Sequence, residues 1–263
     1  MVLRLRADPC TRIVLPIAHH STGRLYEMQV VHASGEPPPK DEGNRMKVFD
    51  FKQYSREYWD EKRGRPSASE FHRIITDKKW EFAKAGAPSY ACELISQEYD
   101  FSYGNDEGFV TSAMRNGTIT EPEARRYYEY ETGLEVQQVG LCVSDCGRFC
   151  CSPDGLIAND GGLELKHPTA ATHIKWLIAG TIPNEHLAQC YGSMIVTKRS
   201  WWDFLSYYPK LPPLHIRLVP DDKMLKLAEA LDKFWKLLTE MRAKVESGEP
   251  SPLPGIKPQS SYF

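Results

Sequence analysis

Asp154, Glu164 and Lys166 are the residues whose types and spacing can do chemistry in this sequence. They sit in Ser152-Pro153-Asp154-Gly155 and Gly162-Leu163-Glu164-Leu165-Lys166, with the two acids ten positions apart. Alternate side chains of a strand share a face, so Glu164 and Lys166 point one way while Leu163 and Leu165 point into a core. If Asp154 ends the neighbouring strand, the two carboxylates converge. Their oxygens suit Mg²⁺, or Mn²⁺, hard ions that keep waters and bind phosphate oxygens. The backbone carbonyl of Leu165 is a further oxygen donor beside them. Lys166 would orient a water or offset charge developing on a scissile phosphate. The set fits metal-assisted phosphodiester hydrolysis. An exposed Glu-x-Lys pair on an edge strand is the plain alternative, but Pro-Asp-Gly before it and alternating Leu within it make that pair far less ordinary.

The elements around these residues must bring them together. Val136–Val143 and Arg148–Ile157 read as two strands and Leu163–Lys166 as a short third, bounded by Gly161-Gly162 and Pro168. Upstream, Ser67-Ala68-Ser69-Glu70 opens a helix through Phe71, Ile74 and Ile75, and Pro88 opens another to about Tyr99. Thr120 with Glu123 forms a capping-box pattern for a helix closed by Gly133. Helices over about Thr172–Ala179 and Asn184–Thr197 follow, then strands Trp201–Tyr208 and Leu214–Val219. Asp222 to Glu246 carries Met224, Ala228, Leu231, Trp235, Leu238 and Val245 at mostly helical spacing, so it packs one face on the domain. This order predicts an α+β (mixed α/β) fold with a central mixed sheet flanked by helices.

Composition bounds the rest. The chain has 263 residues, 33 Lys+Arg and 35 Asp+Glu, and a formal net charge of −2. That balance argues against a protein that coats nucleic acid but leaves room for an enzyme that cuts it. The longest run without Asp, Glu, Lys or Arg is the 12 residues His186–Thr197, too short for a membrane-spanning helix. Seven Cys, an odd number, point to a reducing, intracellular and cytoplasmic setting rather than a secreted disulfide framework. Cys142, Cys146, Cys150 and Cys151 read as small hydrophobes on a hairpin turning at Asp145-Cys146-Gly147, since no pair has the CxxC spacing of a zinc site. Residues 1–45, with Pro37-Pro38-Pro39, read as an extension and linker before a domain over 46–248, and 249–263 as a Pro-rich tail. The Arg-rich start is faintly like an organellar transit peptide, and Met46 is an alternative start.

Pro153-Asp154-Gly155 with Gly162-Leu163-Glu164-Leu165-Lys166 resembles the PD-(D/E)xK nuclease core. Asn116-Gly117 through Glu121, Ala124 and Arg125-Arg126, with His186-Leu187-Ala188-Gln189-Cys190-Tyr191 through Lys198, resemble the phage-lambda-type exonuclease (YqaJ-like viral recombinase) branch, as do Trp59 and Ser67-Ala68-Ser69-Glu70. The resemblance covers about Met46 to Val245. It implies Asp154 and Glu164 as metal ligands with the Leu165 carbonyl, Lys166 as catalytic lysine, Glu121 as a further acid and Gln189 as a site residue. A carboxylate in a helix's first turn is also explained by the helix dipole, and Gln189 by half-exposure. Arg63 and Ser69 resemble residues that hold a 5′ phosphate, with Lys62 and Arg65 as alternatives to Arg63; His167 lies close by. The resemblance further implies a Mg²⁺-dependent (Mn²⁺ permitted) exonuclease acting processively 5′→3′ on linear double-stranded DNA. It implies a homotrimer, a single-strand annealing recombinase as partner and no membrane. A PD-(D/E)xK endonuclease, a RecB-like iron–sulfur nuclease and an inactive DNA-binding relative are the alternatives.

Overall fold

Pro153 has no N–H to give to a strand ladder, and the chain changes sheets around it. The structure, a computed structural model, describes residues 46–100, 102–104 and 112–248, with the backbone alone for 112–120. The extension and the tail lie outside the described residues. The strands are β1 Lys47–Phe49, β2 Val136–Gln137, β3 Leu141–Val143, β4 Cys150–Cys151, β5 Gly155–Ile157, β6 Gly161–Lys166, β7 Trp201–Ser206 and β8 Leu214–Leu218. They form an antiparallel sheet ordered β1-β3-β4 and a mixed sheet ordered β2-β5-β6-β7-β8, in which β6 and β7 alone run parallel.

The two long strands expected over Val136–Val143 and Arg148–Ile157 are therefore each divided between the sheets. The first breaks at Gly140, whose N–H donates to the Phe49 carbonyl at 2.8 Å. A Cβ there would stand 2.0 Å from the Phe51 carbonyl oxygen, so only glycine fits. The second breaks at Ser152-Pro153-Asp154, which leaves Asp154 free of either ladder at the junction.

A parallel pair needs a long crossover. Between β6 and β7 it consists of α4 (Ala170–Ala179) and α5 (Asn184–Thr197). Thr169 caps α4 by accepting from Thr172 N–H, and Gly180 ends it in the left-handed region at φ 62°. α5 packs on the segment Ala68–Ile74, where a Cβ on Gly192 would lie 2.4 Å from Phe71 Cδ2. That segment is a 3₁₀ helix and not the α-helix expected from its Ser-rich start. The Ser67 side chain makes no capping bond; its hydroxyl faces Ser69 Oγ at 3.4 Å.

The remaining helices are α1 (Arg56–Lys62), α2 (Gly86–Tyr99), α3 (Ser112–Thr132) and α6 (Asp222–Ser247). α3 corrects the capping-box reading: the helix runs straight through Thr120, with Pro122 inside it, and closes at Gly133 as expected. β1 and α1 carry no sequence signal of their own; Ser55 starts α1 by accepting from Tyr58 N–H at 3.3 Å. Asp221 caps α6 through Lys223 N–H at 2.9 Å and Met224 N–H at 3.0 Å.

The mixed sheet is covered on both faces. Leu163, Leu165 and Leu205 meet Ala124 and Tyr128 of α3, while Trp202 and Phe204 enter the larger core with α2, α5, α6 and the 3₁₀ segment. Cys142 and Cys151, paired across β3 and β4, are buried in that core, and Cys150 packs against Tyr58, Leu141 and Val143. These three are free thiols acting as small hydrophobes, with Gly147 at φ 73° in the turn. Among the described residues no helix is long and apolar enough to cross a membrane.

Candidate active site

In the β5–β6 ladder Gly155 stands opposite Leu163. Asp154 lies one residue beyond that last pair, outside the ladder, and its carboxylate feels the Glu164 charge. Asp154 Oδ2 accepts the Leu165 N–H at 2.6 Å, which fixes its carboxylate over β6. Lys166 Nζ donates to Glu164 Oε1 at 2.6 Å. Leu163 and Leu165 point to the opposite face and are buried, as strand alternation requires.

Glu164 is 2% exposed, and its Oε2 has no hydrogen-bond partner among the described residues. Burial pushes the Asp154 carboxyl well above the usual carboxylate range, and the Glu164 charge pushes it further; Lys166 pulls it back and Glu121 adds to the rise. Burial likewise raises Glu164, against Lys166 and the nearby Gln189 amide, with Glu121 again adding repulsion. Burial works against the Lys166 ammonium, but Glu164 and Asp154 outweigh it and hold its pKa above that of an ordinary lysine. A buried Glu164 with an unpartnered oxygen beside the half-buried Asp154 is the kind of donor set that a divalent cation would satisfy. Among the described residues no three His, Cys, Asp or Glu side chains close into a metal cluster. An ion here would have two side-chain carboxylates and would need backbone and solvent oxygens for the rest of its shell, a donor set compatible with an ion reluctant to shed water.

Glu121 lies on α3, paired with Arg125, and its charge reaches both acids. Gln189 comes from α5. Asp154, Glu164, Lys166 and Gln189 line a cleft of about 740 Å³, and Lys62, Arg65 and Ser69 line it too. Arg63 does not. Its Nη1 donates to the Gln97 and Asp100 carbonyls, both at 2.7 Å, and its Nη2 to the Tyr103 carbonyl at 3.3 Å. The guanidinium thereby satisfies carbonyls around the end of α2 that the helix leaves open. His167 packs on Tyr207, with its pKa lowered by burial, and does not line the cleft.

Tyr58, Tyr54 and Arg125 have no role assigned from the sequence, Arg125 standing there only among the residues that carry the resemblance. Lys62 Nζ donates to Tyr58 Oη at 2.9 Å, and that hydroxyl meets Ser152 Oγ at 3.0 Å, tying α1 to the turn that carries Asp154. Tyr54 holds the left-handed region at φ 67° and lines the cleft, a strained backbone of the kind found beside functional sites. Arg125 joins Glu121 to the Asp154 carbonyl. The signal for Tyr54 and Tyr58 was their i, i+4 spacing just before Trp59; for Arg125 it was the i, i+4 relation to Glu121.

Residues 57–200 match the family model described as the YqaJ-like viral recombinase domain. Among solved structures, an alkaline exonuclease (LHK-Exo) from Laribacter hongkongensis is 29% identical, with a TM-score of 0.59, covering 74% of this chain and all of that one. LHK-Exo in complex with dAMP is 28% identical at the same TM-score of 0.59, again over 74% of this chain and 100% of that chain. No curated protein matches this sequence significantly.

Proposed function

The chain belongs to the YqaJ-like viral recombinase family, and from that premise we propose that it is a Mg²⁺-dependent exonuclease that digests the 5′-ended strand of linear duplex DNA processively. The exposed complementary strand would then serve a single-strand annealing recombinase. The observation that carries this reading is the convergence of Asp154, Glu164 and Lys166, with the buried Glu164 Oε2 left without a partner.

In this reading Asp154 and Glu164 hold the cation, with the Leu165 carbonyl and Glu121 as the further oxygens. The ion, when bound, supplies Lewis acidity at the scissile phosphate. Lys166, held by Glu164, orients the attacking water and offsets the charge that builds on the phosphate oxygens. Gln189 steadies Glu164 from α5. Lys62, Arg65 and Ser69, in the same cleft, receive the terminal 5′ phosphate; a charged group and a hydroxyl suit that dianion. Fixing the end there places the next bond at the acids and sets the direction of digestion. A homotrimeric ring, closed by a head-to-tail interface, keeps the enzyme on its DNA between cuts.

The test is digestion of linear duplex labelled at the 5′ or the 3′ end, with Mg²⁺ and with a chelator, beside covalently closed circles. Release of 5′-labelled mononucleotides ahead of 3′ label, loss of activity with the chelator and intact circles are expected, with three times the chain mass by native mass spectrometry. Efficient cutting of circles by a monomer would favour the endonuclease reading. Lys62→Ala should erode the preference for a 5′-phosphorylated over a 5′-hydroxyl end roughly 10–100-fold, the worth of one charged hydrogen bond. Arg63→Ala should keep that preference and lose about 1.5–3 kcal/mol of stability instead, because its guanidinium braces α2. The reverse pattern in competition digests and denaturant melts would return the phosphate role to Arg63.

A further inference from the structure

We propose that Arg125 is a positioning residue that clamps Glu121 to the turn carrying Asp154, so that the acids meet a divalent ion in one arrangement. This rests on the nuclease reading above. Arg125 stands one turn after Glu121 on α3 and is 9% exposed. A guanidinium taken that far from water requires acceptors. Nη2 donates to Glu121 Oε1 and to the Asp154 carbonyl at 3.4 Å. With the Gln138 amide turned so that its oxygen faces the guanidinium, it accepts from Nη1 at 2.9 Å and from Nη2 at 3.1 Å. These acceptors belong to α3, to the turn before β5 and to the residue after β2. One side chain thus bridges three pieces of chain next to the acids, where β2 and β5 already pair and Glu129 of α3 already accepts from Val136 N–H.

Arg125 admits a second account, and the two predict opposite signs. As a mere positive charge beside Asp154, Glu164 and Glu121, it competes with the incoming cation, and its removal tightens metal binding. As a clamp, it pre-organises the acids, and loss of its planar fork loosens binding even where the charge is kept. The geometry points to the clamp. The Nε of Arg125 is buried without a partner among the described residues, so its ring of contacts is set by the Nη bonds and not by best solvation of the charge. The contact to Asp154 is to its backbone, which fixes where the side chain starts and does not neutralise it.

The test is Mn²⁺ binding to the metal-free full chain, followed by electron paramagnetic resonance. Arg125→Lys keeps the charge and removes the fork; it should weaken binding roughly ten-fold, within the range of coupled neighbours. In a Glu121→Gln background the same substitution should change binding less than about two-fold, because the clamp acts through Glu121. Binding by Arg125→Lys as tight as the parent's, or tighter binding by Arg125→Gln, would overturn the clamp. If Arg125→Lys does not fold by circular dichroism, Gln138→Ala, at an exposed position, loosens the same guanidinium and should weaken Mn²⁺ about two- to three-fold; no change there also overturns it. A parent protein that binds no Mn²⁺ sinks the nuclease reading along with the clamp. Parent binding with an unaffected Arg125→Lys sinks the clamp alone.

Discussion

Asp154→Asn is expected to abolish cleavage of linear duplex DNA and, in the absence of divalent ions, to melt at a higher temperature than the parent. Lys166→Ala should be at least about 10²–10³-fold slower than the parent while remaining folded, the loss typical of removing one group aimed at developing charge. The higher melting temperature follows from the buried repulsion. Burial and the Glu164 charge raise the Asp154 carboxyl's pKa, so ionising it costs stability in the folded state. Below the ordinary carboxylate range both folded and unfolded chains hold the proton and nothing is lost. As pH rises through that range the unfolded chain releases its proton first, and the metal-free fold weakens until the native acid also ionises. The parent should therefore melt higher near pH 5 than near pH 7 without metal, a slope that Asp154→Asn flattens. Asn keeps an oxygen for the Leu165 N–H, so the variant removes the charge without orphaning that donor. Each kcal/mol recovered raises the melting temperature by roughly 2–4 °C in a domain of this size. Mg²⁺ should stabilise the parent and leave Asp154→Asn nearly unmoved, since only a folded state that binds gains. Calorimetry in chelator at the two pH values decides it: an Asp154→Asn protein that melts below the parent at neutral pH would refute the repulsion.

The acids and Lys166 were legible in the sequence because their arrangement is local. Strand alternation sets Glu164 on one face with Lys166, and the β5–β6 hairpin, whose pairing ends at Gly155 and Leu163, leaves Asp154 within reach of the Leu165 N–H. α5 was legible to the residue, since Asn184 follows Pro183 at a helix start, and the structure ends it at a left-handed Lys198. The division of two expected strands was not, since nothing local says that the stretch after Gly140 pairs with β1 while the stretch before it pairs with β5. Thr120 and Glu123 misled for a related reason: a capping pattern also occurs inside a helix when tertiary packing carries the helix past it. The likeness that made Arg63 a phosphate ligand depends on how a seven-residue helix is oriented, and α1 is too short to show a period. The acceptors that engage Arg63 lie 34 to 40 positions away. Arg125 is the same case at the active site, with Asp154 29 positions from it.

Asp203→Ala is expected to destabilise the protein by about 1.5–3 kcal/mol, the worth of charged hydrogen bonds whose Arg217 partner is half exposed, or roughly 3–12 °C in melting temperature. Asp203 stands on β7 and is 0% exposed. Its oxygens accept from Tyr128 Oη at 2.6 Å and from Arg217 Nε and Nη2 at 2.8 and 2.7 Å, with His215 Nε2 at 3.1 Å. Burial alone would raise this carboxyl, but Arg217, His215 and Tyr128 reverse it and hold the pKa far below the ordinary carboxylate range. The sign is then opposite to that at Asp154. The contribution of Asp203 is complete above the ordinary carboxylate range and disappears only as pH falls through the depressed native value, so Asp203→Asn should be less stable than the parent throughout neutral and mildly acidic pH. Tyr128→Phe, which removes one of the bonds, should cost about 0.5–1.5 kcal/mol. The site feels the same loss, because Tyr128 belongs to α3 and ties the helix that carries Glu121 and Arg125 to the sheet that carries Glu164. Two aspartates, Asp203 buried and Asp154 half-buried, thus differ in the sign of their pKa shift through their neighbours. Asp203 meets cations and donors, whereas Asp154 meets mainly acids. A denaturant melt of Asp203→Ala within about 1 kcal/mol of the parent, the worth of a surface pair, would show that this network is solvent-screened and that α3 is held by its apolar face alone.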